Sequence, residues 1–308
     1  MRYINEEEIT QSIPCVVALG NFDGLHIGHK RLIEEVKRQA SLYRVQGAVF
    51  SFFPHPAFVL ANRKNFQLIY TKEEKIKKIE ELGIELYIEY PFTQSFAQIP
   101  PEQFIQKILY NQLHSKVVIV GKNFKFGKER KGDIHLLHSL GEKLGFQTLA
   151  ISPVQIQGEE VSSTRIRQYL AKGEINKANI LLGEPYSIMG TVVKGKQLGR
   201  TIGFPTVNLI PSSDKLLPDH GVYITYVQWL GQKRPSITSV GSNPTVYGKK
   251  TVVESYLLDF EQDLYGESIK VEFLEWLRPE HRFHSLTALM YQIQEDEKRA
   301  RAYFERSK

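Results

Sequence analysis

The spacing of apolar and polar residues changes near residue 184. Before that point, short apolar runs such as CVVALG (15–20), GAVFSFF (47–53) and KVVIVG (116–121) alternate with longer segments of helical periodicity. Short apolar strands separated by helices of about ten residues or more are typical of βαβ units. The first part is therefore predicted to be an α/β domain built on a parallel sheet.

After Pro185 the helical segments give way to β-branched and aromatic runs that are broken by Gly, Pro, Asn and Asp. Three of these runs are GVYITYVQWL (221–230), TVVESYLLDF (251–260) and SIKVEFLEWL (268–277). Regularly spaced strands of this kind predict a small antiparallel barrel or sandwich. The last stretch, 285–308, is expected to be a helix packed against it. We therefore divide the chain into domains 1–184 and 185–308.

The composition is that of a soluble globular protein. Its 308 residues exceed the ~250–300 at which a single core usually stops growing, which also favours two domains. The single cysteine, Cys15, excludes an internal disulfide framework, and no apolar run approaches the ~18 residues of a membrane span. The acidic N-terminus lacks the apolar core of a signal peptide. We expect a cytoplasmic protein, a monomer or weak homo-oligomer, with Cys15 in its core.

The net charge of +6 raises the question of a nucleic-acid partner. The 40 Lys and Arg residues are dispersed and interleaved with the 34 acids, as in TKEEKIKKIEEL (71–82). Dispersed charge favours small ligands that carry phosphate over nucleic acid. We therefore expect small anionic ligands, with no nucleic-acid or membrane partner.

The segment GNFDGLHIGH (20–29) joins the first strand to the first long helix. Free backbone N–H groups and the helix dipole favour phosphate binding at such a position, and Gly24 and Gly28 allow the main chain to approach a ligand. His26 and His29 can lie on one side of the turn and donate hydrogen bonds to a nucleotide triphosphate as pyrophosphate leaves. Ligation of zinc by these histidines and helix capping are the alternative interpretations.

Three later segments also carry candidate chemistry. In FFPHP, prolines flank His55 and impose a rigid turn, so His55 is either a site residue or a structural histidine. Asn123, in the basic loop 121–133, can both donate to and accept from a ligand. In VSSTRIRQYL (161–170), cations in the first helical turn oppose the helix dipole, a cost that a bound anion would remove. Arg165 is therefore the preferred phosphate clamp.

These four segments, in this order, resemble the HxGH nucleotidyltransferases, and specifically the adenylyltransferase module of bacterial bifunctional FAD synthetases. The family patterns are GxFDGxHxGH, the strand-end FFPHP, G-x-[DN]-F-x-F-G-x-x-R-x-G and SSTRIR. The resemblance implies a Rossmann-like domain that transfers AMP from ATP to FMN and releases pyrophosphate. The catalytic residues that it implies are His26, His29 and Arg165. The binding residues that it implies are Gly20, Asn21, Phe22, Gly24, Gly28, His55, Asn123, Ser162, Ser163 and Thr164.

The segment GTVVKGKQLGRTIGFPTVNL (190–209) lies near the start of the second part. It nearly matches a P-loop, but Gln197 lacks the hydroxyl that such a loop offers to Mg²⁺, and its surroundings are typical of strand and turn. Gly195, Gly199 and Gly203 instead allow the main chain to wrap around phosphates.

Thr206 and Asn208 alternate on an extended part of this segment, so their side chains face the same way. A hydroxyl and an amide oxygen are hard ligands that suit Mg²⁺ bound with ATP, whereas the alternative is a polar strand face. The segment resembles the riboflavin kinase signature G-x-V-x-x-G-x-x-x-G-R-x-x-G-F-P-T-A-N, with Val207 in the place of the usual Ala.

A kinase needs a base near the hydroxyl that it phosphorylates. The resemblance implies that this base is Glu254, in a segment whose family pattern is E-x-H-L-[LF]-D-F and which carries Tyr256 in place of His. Asp259 and Glu272 are rival acids. The other residues implied to bind flavin or nucleotide are Gly195, Gly199, Arg200, Gly203, Phe204, Pro205, Tyr223, Arg278 and Glu280.

The resemblance covers nearly the whole chain and ends with FLEWLRPEHRF (273–283), where Trp276 and Phe283 either cover a flavin ring or pack in the core. It implies a six-stranded-type antiparallel β-barrel riboflavin kinase domain with a C-terminal helix, which follows the Rossmann-like domain in the sequence. The implied function is ATP-dependent phosphorylation of riboflavin to FMN, followed by adenylylation of FMN to FAD, with Mg²⁺ as the metal. The alternatives are a chain with only one active module and a non-catalytic flavin- or nucleotide-binding regulator.

Overall fold

The chain forms two compact units. The computed structural model describes residues 1–5, 13–60, 66–195, 199, 202–245 and 248–306. The first unit comprises Met1–Leu68 and Lys72–Ser162, and the second comprises Ile69–Thr71 and Ser163–Lys308. By its contacts, the segment 163–184 therefore groups with the second unit, although its sequence continues the α/β pattern of the first domain.

A six-stranded parallel sheet forms the centre of the first unit, as predicted. Its spatial order is β1-β4-β3-β2-β5-β6. The strands are β1 (Arg2–Asn5), β2 (Cys15–Leu19), β3 (Gln46–Phe53), β4 (Leu86–Pro91), β5 (Val117–Gly121) and β6 (Gln147–Ile151). The apolar pattern did not predict β1, because Ile4 is the only residue of this strand that is fully buried.

Helices follow most of these strands. They are α1 (Ile27–Tyr43), α2 (Pro56–Leu60), α3 (Lys72–Glu81), α4 (Gln94–Ala97), α5 (Pro101–Phe104), which continues as a π-helix over Ile105–Gln112, and α6 (Ile134–Leu144). A short hairpin, β7 (Gln155–Ile156) and β8 (Glu159–Glu160), ends the unit. Alternate residues of β2 face two apolar clusters, with Cys15 on one face of the sheet and Val16 on the other. Cys15 is a fully buried core residue, as expected, and burial raises the pKa of its thiol to about 12.

The strand β2 lies where the strand order reverses, because β3 and β4 extend from one side of it and β5 and β6 from the other. In open parallel sheets, ligands bind outside the carboxyl ends of the strands at such a reversal. The segment that leaves β2 begins at Gly20, and the segment that leaves β5 begins at Lys122. The sheet therefore presents both candidate motifs at the edge where a ligand is expected.

The second unit is a closed six-stranded antiparallel barrel with a C-terminal helix, as predicted. Its strand order is β10-β13-β12-β11-β14-β9. The strands are β9 (Tyr186–Val193), β10 (Thr206–Leu209), β11 (Gly221–Trp229), β12 (Gln232–Thr245), β13 (Gly248–Leu257) and β14 (Ser268–Arg278). The helices of the unit are α7 (Ser163–Leu170), α8 (Ile175–Leu182) and α9 (Leu286–Arg306).

The helix α9 packs against the barrel through Ala300 and Phe304, which share an apolar cluster with Val222 and Leu277. Inside the barrel, buried hydroxyl groups form a chain of hydrogen bonds. The members of this chain are Thr225, Ser236, Thr238 and Ser255. A polar group buried inside a barrel is costly unless it is hydrogen-bonded, and each of these hydroxyls has a partner.

Candidate active sites

The turn between β2 and α1 has a strained backbone. Phe22, Gly24 and Leu25 have φ angles of 49°, 85° and 41°. Positive φ is uncommon for residues with a Cβ atom, and it persists where surrounding packing holds it. Phe22 and Leu25 are both fully buried, so packing fixes the path of the main chain into α1.

His26 caps the first turn of α1. Its Nδ1 accepts a hydrogen bond from the backbone N–H of His29 at 3.3 Å. The capping interpretation is therefore confirmed for His26, and it is compatible with a phosphate contact. Because Nδ1 is the acceptor, the neutral ring carries its proton on Nε2. The rings of His26 and His29 stack, with centroids 3.6 Å apart and planes 16° from parallel.

Both histidines are held in the neutral form. Burial lowers the pKa of His26 to about 4, against a smaller opposing effect of Asp23. The pKa of His29 lies well below its usual value, chiefly because of burial and also because of His26 and the Lys75 ammonium. His29 Nδ1 is buried and has no hydrogen-bond partner among the residues that the structure describes. Two stacked neutral imidazoles can thus offer N–H donors without a charge of their own.

A zinc site at these histidines has no support in the geometry. In the described part of the chain, no group of three or more His, Cys, Asp or Glu side chains is placed to hold a metal ion. Cys15, the nearest potential thiolate in sequence, points into the core of the sheet.

A buried polar cluster lies behind the turn and was missed by the sequence interpretation. Lys75 Nζ lies 3.2 Å from Ser51 Oγ, and Ser51 in turn donates to the carbonyl oxygen of Asn21 at 3.0 Å. Glu89, on the neighbouring strand, is also buried. The run TKEEKIKKIEEL is typical of an exposed charged helix, so only the tertiary structure distinguishes Lys75 from the lysines around it.

The other predicted residues of the first unit occupy different settings. His55 Nδ1 accepts from the N–H of Ala57 at 3.2 Å, and its ring stacks on Phe66 with centroids 4.8 Å apart. Asn123 is exposed in the loop after β5. Gly28 lies against the His26 ring, because a Cβ atom there would be 3.1 Å from it.

The SSTRIR segment is divided between the two units, with Ser162 in the first and Ser163, Thr164 and Arg165 in the second. Ser163 begins α7, so Arg165 lies in the first turn of that helix as the sequence predicted. The role of this segment in binding nucleotide stays a prediction.

In the barrel, the structure brings Thr206, Asn208 and Glu254 together. The strands β10 and β13 pair so that Asn208 lies opposite Glu254. Thr206 Oγ1 donates to Glu254 Oε1 at 2.5 Å. Antiparallel pairing thus joins residues 48 positions apart in sequence into one polar group.

The oxygen atoms of this group suit a magnesium ion. Asn208 is 8% exposed, and a Cβ atom at Gly195 would lie 2.5 Å from its Nδ2, so only glycine lets the main chain pass the amide. The Thr206 hydroxyl donates its hydrogen to Glu254, which leaves its lone pairs for a cation. A hydroxyl, an amide oxygen and a neighbouring carboxylate are the hard ligands that Mg²⁺ prefers.

A cleft opens beside these residues. It is lined by Thr206 and Asn208 from β10, by Val192 from β9 and by the segment 260–265 that follows β13. Phe260 and Tyr265 give this cleft aromatic walls next to its oxygen ligands. A cleft with such walls can hold a planar base whose phosphates reach the polar group.

The two rival acids are engaged elsewhere. Asp259 is exposed and forms a two-pronged ion pair with Arg301 at 2.7 and 2.9 Å. Glu272 is buried between Lys233 and Lys270, whose ammonium groups hold the pKa of its carboxyl below its usual value against the opposing effect of burial. Glu254 instead accepts from Thr206 and lies opposite Asn208, so it is the candidate that the geometry favours as base.

The turn that precedes β10 contains two of the glycines that the sequence singled out. The N–H of Phe204 donates to the carbonyl oxygen of Gly199 at 2.8 Å, and Gly203 has a φ of 85°. Phe204 is buried against Tyr256, with ring centroids 5.4 Å apart. Tyr256, which replaces the usual His, therefore supports this turn by packing. Arg200 lies outside the described residues.

Of three other predicted binding residues, two are held by structural partners. Tyr223 is fully buried, and its hydroxyl donates to the carbonyl oxygen of Asp219. Arg278 forms a bidentate ion pair with Asp296 of α9, with the nearest atoms 2.7 Å apart. Glu280 is exposed. The structure does not place these three at the cleft, and their contact with flavin stays a prediction.

Trp276 is 41% exposed and lies against two glycines. A Cβ atom at Gly173 would be 3.2 Å from its ring, and one at Gly221 would be 2.8 Å from it. The indole therefore packs on the main chain at one end of the barrel while leaving a face open.

Comparison with known proteins gives a family match for each part of the chain. A family profile described as FAD synthetase matches residues 8–165, and one described as riboflavin kinase matches residues 182–304. A protein of Listeria monocytogenes, named bifunctional riboflavin kinase/FMN adenylyltransferase, is 35% identical over 94% of this chain and 92% of its own length. The chain belongs to this bifunctional family. An Escherichia coli member of the same name is 38% identical, over 94% of this chain and 93% of its own.

The fold of the bifunctional family also appears in a crystal structure from Streptococcus pneumoniae, described as a macrolide-efflux protein. It superposes with a TM-score of 0.88 and 30% identity, over 97% of this chain and 98% of that one. Within the described residues, no helix is long and apolar enough to cross a membrane.

Proposed function

We propose that this chain converts riboflavin to FMN in its barrel and FMN to FAD in its sheet domain, with ATP as the second substrate of both reactions. The observation that carries the proposal is the grouping of Glu254 with Thr206 and Asn208, two residues that line one cleft, in a chain whose other unit presents His26 and His29 at the reversal of a parallel sheet. We assign residues 1–184 to adenylyl transfer and residues 185–308 to the kinase reaction.

In the kinase reaction, Glu254 accepts the proton of the riboflavin hydroxyl. The hydroxyl oxygen then forms a bond to the γ-phosphorus of ATP as the bond to the β,γ-bridging oxygen breaks and ADP leaves. In the structure the Glu254 carboxylate accepts a hydrogen bond from the Thr206 hydroxyl, so it already acts as an acceptor beside a residue that lines the cleft. Magnesium held by Thr206 and Asn208 would neutralise charge on the phosphates.

In adenylyl transfer, a phosphate oxygen of FMN attacks the α-phosphorus of ATP and pyrophosphate leaves. The nucleophile is an ionised phosphate, so no base is needed to remove a proton. His26 Nε2–H and the N–H of His29 donate to the phosphate oxygens as negative charge moves toward the leaving group. The N-terminus of α1 adds backbone donors and its dipole, and Arg165 is the proposed phosphate clamp.

We infer the location, the oligomeric state and the partners of the protein from its composition. We place it in the cytoplasm, as a monomer or weak homo-oligomer, with no nucleic-acid partner. The single buried cysteine and the dispersed charge support these assignments.

The test is incubation of the purified full chain with riboflavin and magnesium ATP, followed by chromatography of the flavins. FMN should appear first and FAD after it. If neither forms, with the flavin either oxidised or reduced, the proposed function is wrong. Formation of FMN alone would show that only the kinase module is active, and binding of riboflavin without consumption of ATP would indicate a regulator.

A further inference from the structure

Lys75 is a lysine of α3 with an unusual setting. It is 8% exposed, as is Lys78, whereas Lys77 of the same helix is exposed. A buried ammonium is costly unless it is paired, and burial lowers the pKa of Lys75. Its position therefore requires an explanation beyond the ordinary charge pattern of a surface helix.

The contacts of Lys75 lead to the backbone of the turn 20–29. Its ammonium lies 3.2 Å from Ser51 Oγ at the end of β3. An ammonium can only donate, so Ser51 accepts from it and directs its own hydrogen to the carbonyl oxygen of Asn21, 3.0 Å away. Ser51 is fully buried, and its single hydroxyl takes part in both bonds.

Glu89 is not the close partner of Lys75. The nearest approach between them is 3.9 Å, whereas Lys72 Nζ lies 2.5 Å from Glu89 Oε2. Tyr3 and Tyr87 donate to the same carboxylate at 2.8 and 3.1 Å. Glu89 thus interacts with both lysines, more closely with Lys72, and the close hydrogen bond of Lys75 is to Ser51, which leads to the turn.

That charge acts on the histidines. The Lys75 ammonium is one of the groups that disfavour protonation of His29, and the carboxylates of Glu89 and Asp23 attract that ammonium. The other titratable or charged groups around this cluster are His26, Lys72, Glu89, Tyr3 and Tyr87. A positive charge fixed behind a neutral imidazole also stabilises negative charge on the phosphate that the imidazole contacts.

We propose that Lys75 is a positioning residue for adenylyl transfer, which fixes the turn 20–29 through Ser51 and places a positive charge behind His29. This inference rests on the proposed function of the sheet domain. Lys75 is too buried to be a substrate ligand in the described structure, so its effect reaches the substrate through the turn and the histidines.

The test compares Lys75→Met, Lys75→Arg, Ser51→Ala and the double variant Lys75→Met/Ser51→Ala in the full chain, with Lys77→Met as the exposed control. Initial rates of FAD formation from FMN and magnesium ATP are measured across pH 5.5 to 9, and folding is checked by circular dichroism. Lys75→Met should lower kcat roughly ten- to a hundredfold, the usual effect of losing a buried charged hydrogen bond, with little change in KM.

Two results separate positioning from a merely structural role. Removal of the charge should raise the pKa of His29, so the acid limb of the FAD-forming activity should move to higher pH in Lys75→Met and return in Lys75→Arg. The fold-decrease in kcat of the double variant should be smaller than the product of the fold-decreases of the two single variants, because both residues act through the same contacts. Lys77→Met should match the parent chain in rate and pH profile.

The inference is overturned if folded Lys75→Met retains the kcat and pH profile of the parent chain. It is also overturned if Lys75→Met and Lys75→Arg lose activity equally with an unmoved acid limb, which would indicate packing alone. If Lys75→Met does not fold, Ser51→Ala provides the test. An unchanged kcat in Ser51→Ala would show that the contacts from Lys75 through Ser51 to the turn do not affect the reaction. If the parent chain forms no FAD, the proposed function of the sheet domain is wrong. If the parent chain forms FAD and replacement of Lys75 has no effect, only the inference about Lys75 is wrong.

Discussion

The hydroxyl of Thr206 donates to the carboxylate of Glu254 across the paired strands β10 and β13, at 2.5 Å. This bond joins the residue proposed to hold magnesium to the residue proposed to act as base. The two proposed roles therefore belong to side chains in direct contact. The acids that compete with Glu254 are paired with arginine or lysine.

Replacement of Glu254 tests the base. Glu254→Gln keeps the size and a hydrogen-bond acceptor for Thr206, but it removes the proton acceptor. We expect FMN formation to fall by roughly 10²–10⁴, the usual contribution of a general base, while FAD formation from supplied FMN is unchanged. Initial rates for each reaction measure this, with Asp259→Asn as the control. A kinase rate near that of the parent chain would exclude Glu254 as the base.

Gly195 is tested by adding a single methyl group. In Gly195→Ala, the Cβ atom would lie 2.5 Å from Asn208 Nδ2, so the amide must shift. We expect a higher KM for magnesium ATP in the kinase reaction and a higher magnesium concentration at half-maximal rate. Gly190→Ala is the matched control, because its Cβ atom would meet Leu209 at an ordinary 3.6 Å. Equal kinetics for the two variants would show that the amide position is unimportant.

His29 provides the test of the sheet domain. In His29→Ala the stacked donor is lost, and we expect FAD formation to fall roughly 10²–10³-fold, the scale seen when one transition-state donor is removed. Conversion of riboflavin to FMN should be unaffected. The two rates are measured separately on one preparation, and loss of both would contradict two independent sites.

The buried histidines also predict a dependence of stability on pH. The pKa of His26 is about 4 in the folded protein, against about 6.5 for an unperturbed histidine. Between these values the unfolded chain binds a proton that the folded chain excludes, so the free energy of unfolding falls as pH decreases from about 6.5 to about 4. Thermal unfolding at pH 7 and pH 5 measures the fall.

His26→Asn is the matched variant for this measurement, because asparagine is also a good helix cap but does not titrate. The unfolding temperature of the variant should fall less between the two pH values than that of the parent chain. An equal fall in both proteins would show that His26 does not take up the proton on unfolding.

Much of the architecture could be predicted because its signals are local. The apolar run 15–20 followed by GNFDGLHIGH predicts a strand, a turn and a helix, and the structure has β2 and α1 there. Thr206 and Asn208 could be assigned to one face because an extended segment alternates its side chains. Their proximity to Glu254 came only from family resemblance, since strand pairing joins them across 48 residues.

What could not be predicted depends on tertiary packing. Lys75 and Lys77 are indistinguishable in TKEEKIKKIEEL, yet one is buried behind the turn and the other is exposed. No local signal indicates that Arg278 forms an ion pair with Asp296 in the following helix. The segment 163–184 continues the helical pattern of the first domain, whereas its contacts group it with the barrel.

We propose that one chain holds two sites that act in sequence. A mixture of two variants, each lacking one activity, tests this proposal. With riboflavin and magnesium ATP, His29→Ala alone should accumulate FMN, and Glu254→Gln alone should leave riboflavin largely unchanged. An equimolar mixture should form FAD, because FMN released by one variant is adenylylated by the other. Absence of FAD from the mixture, or full formation of FAD by either variant alone, would contradict the account.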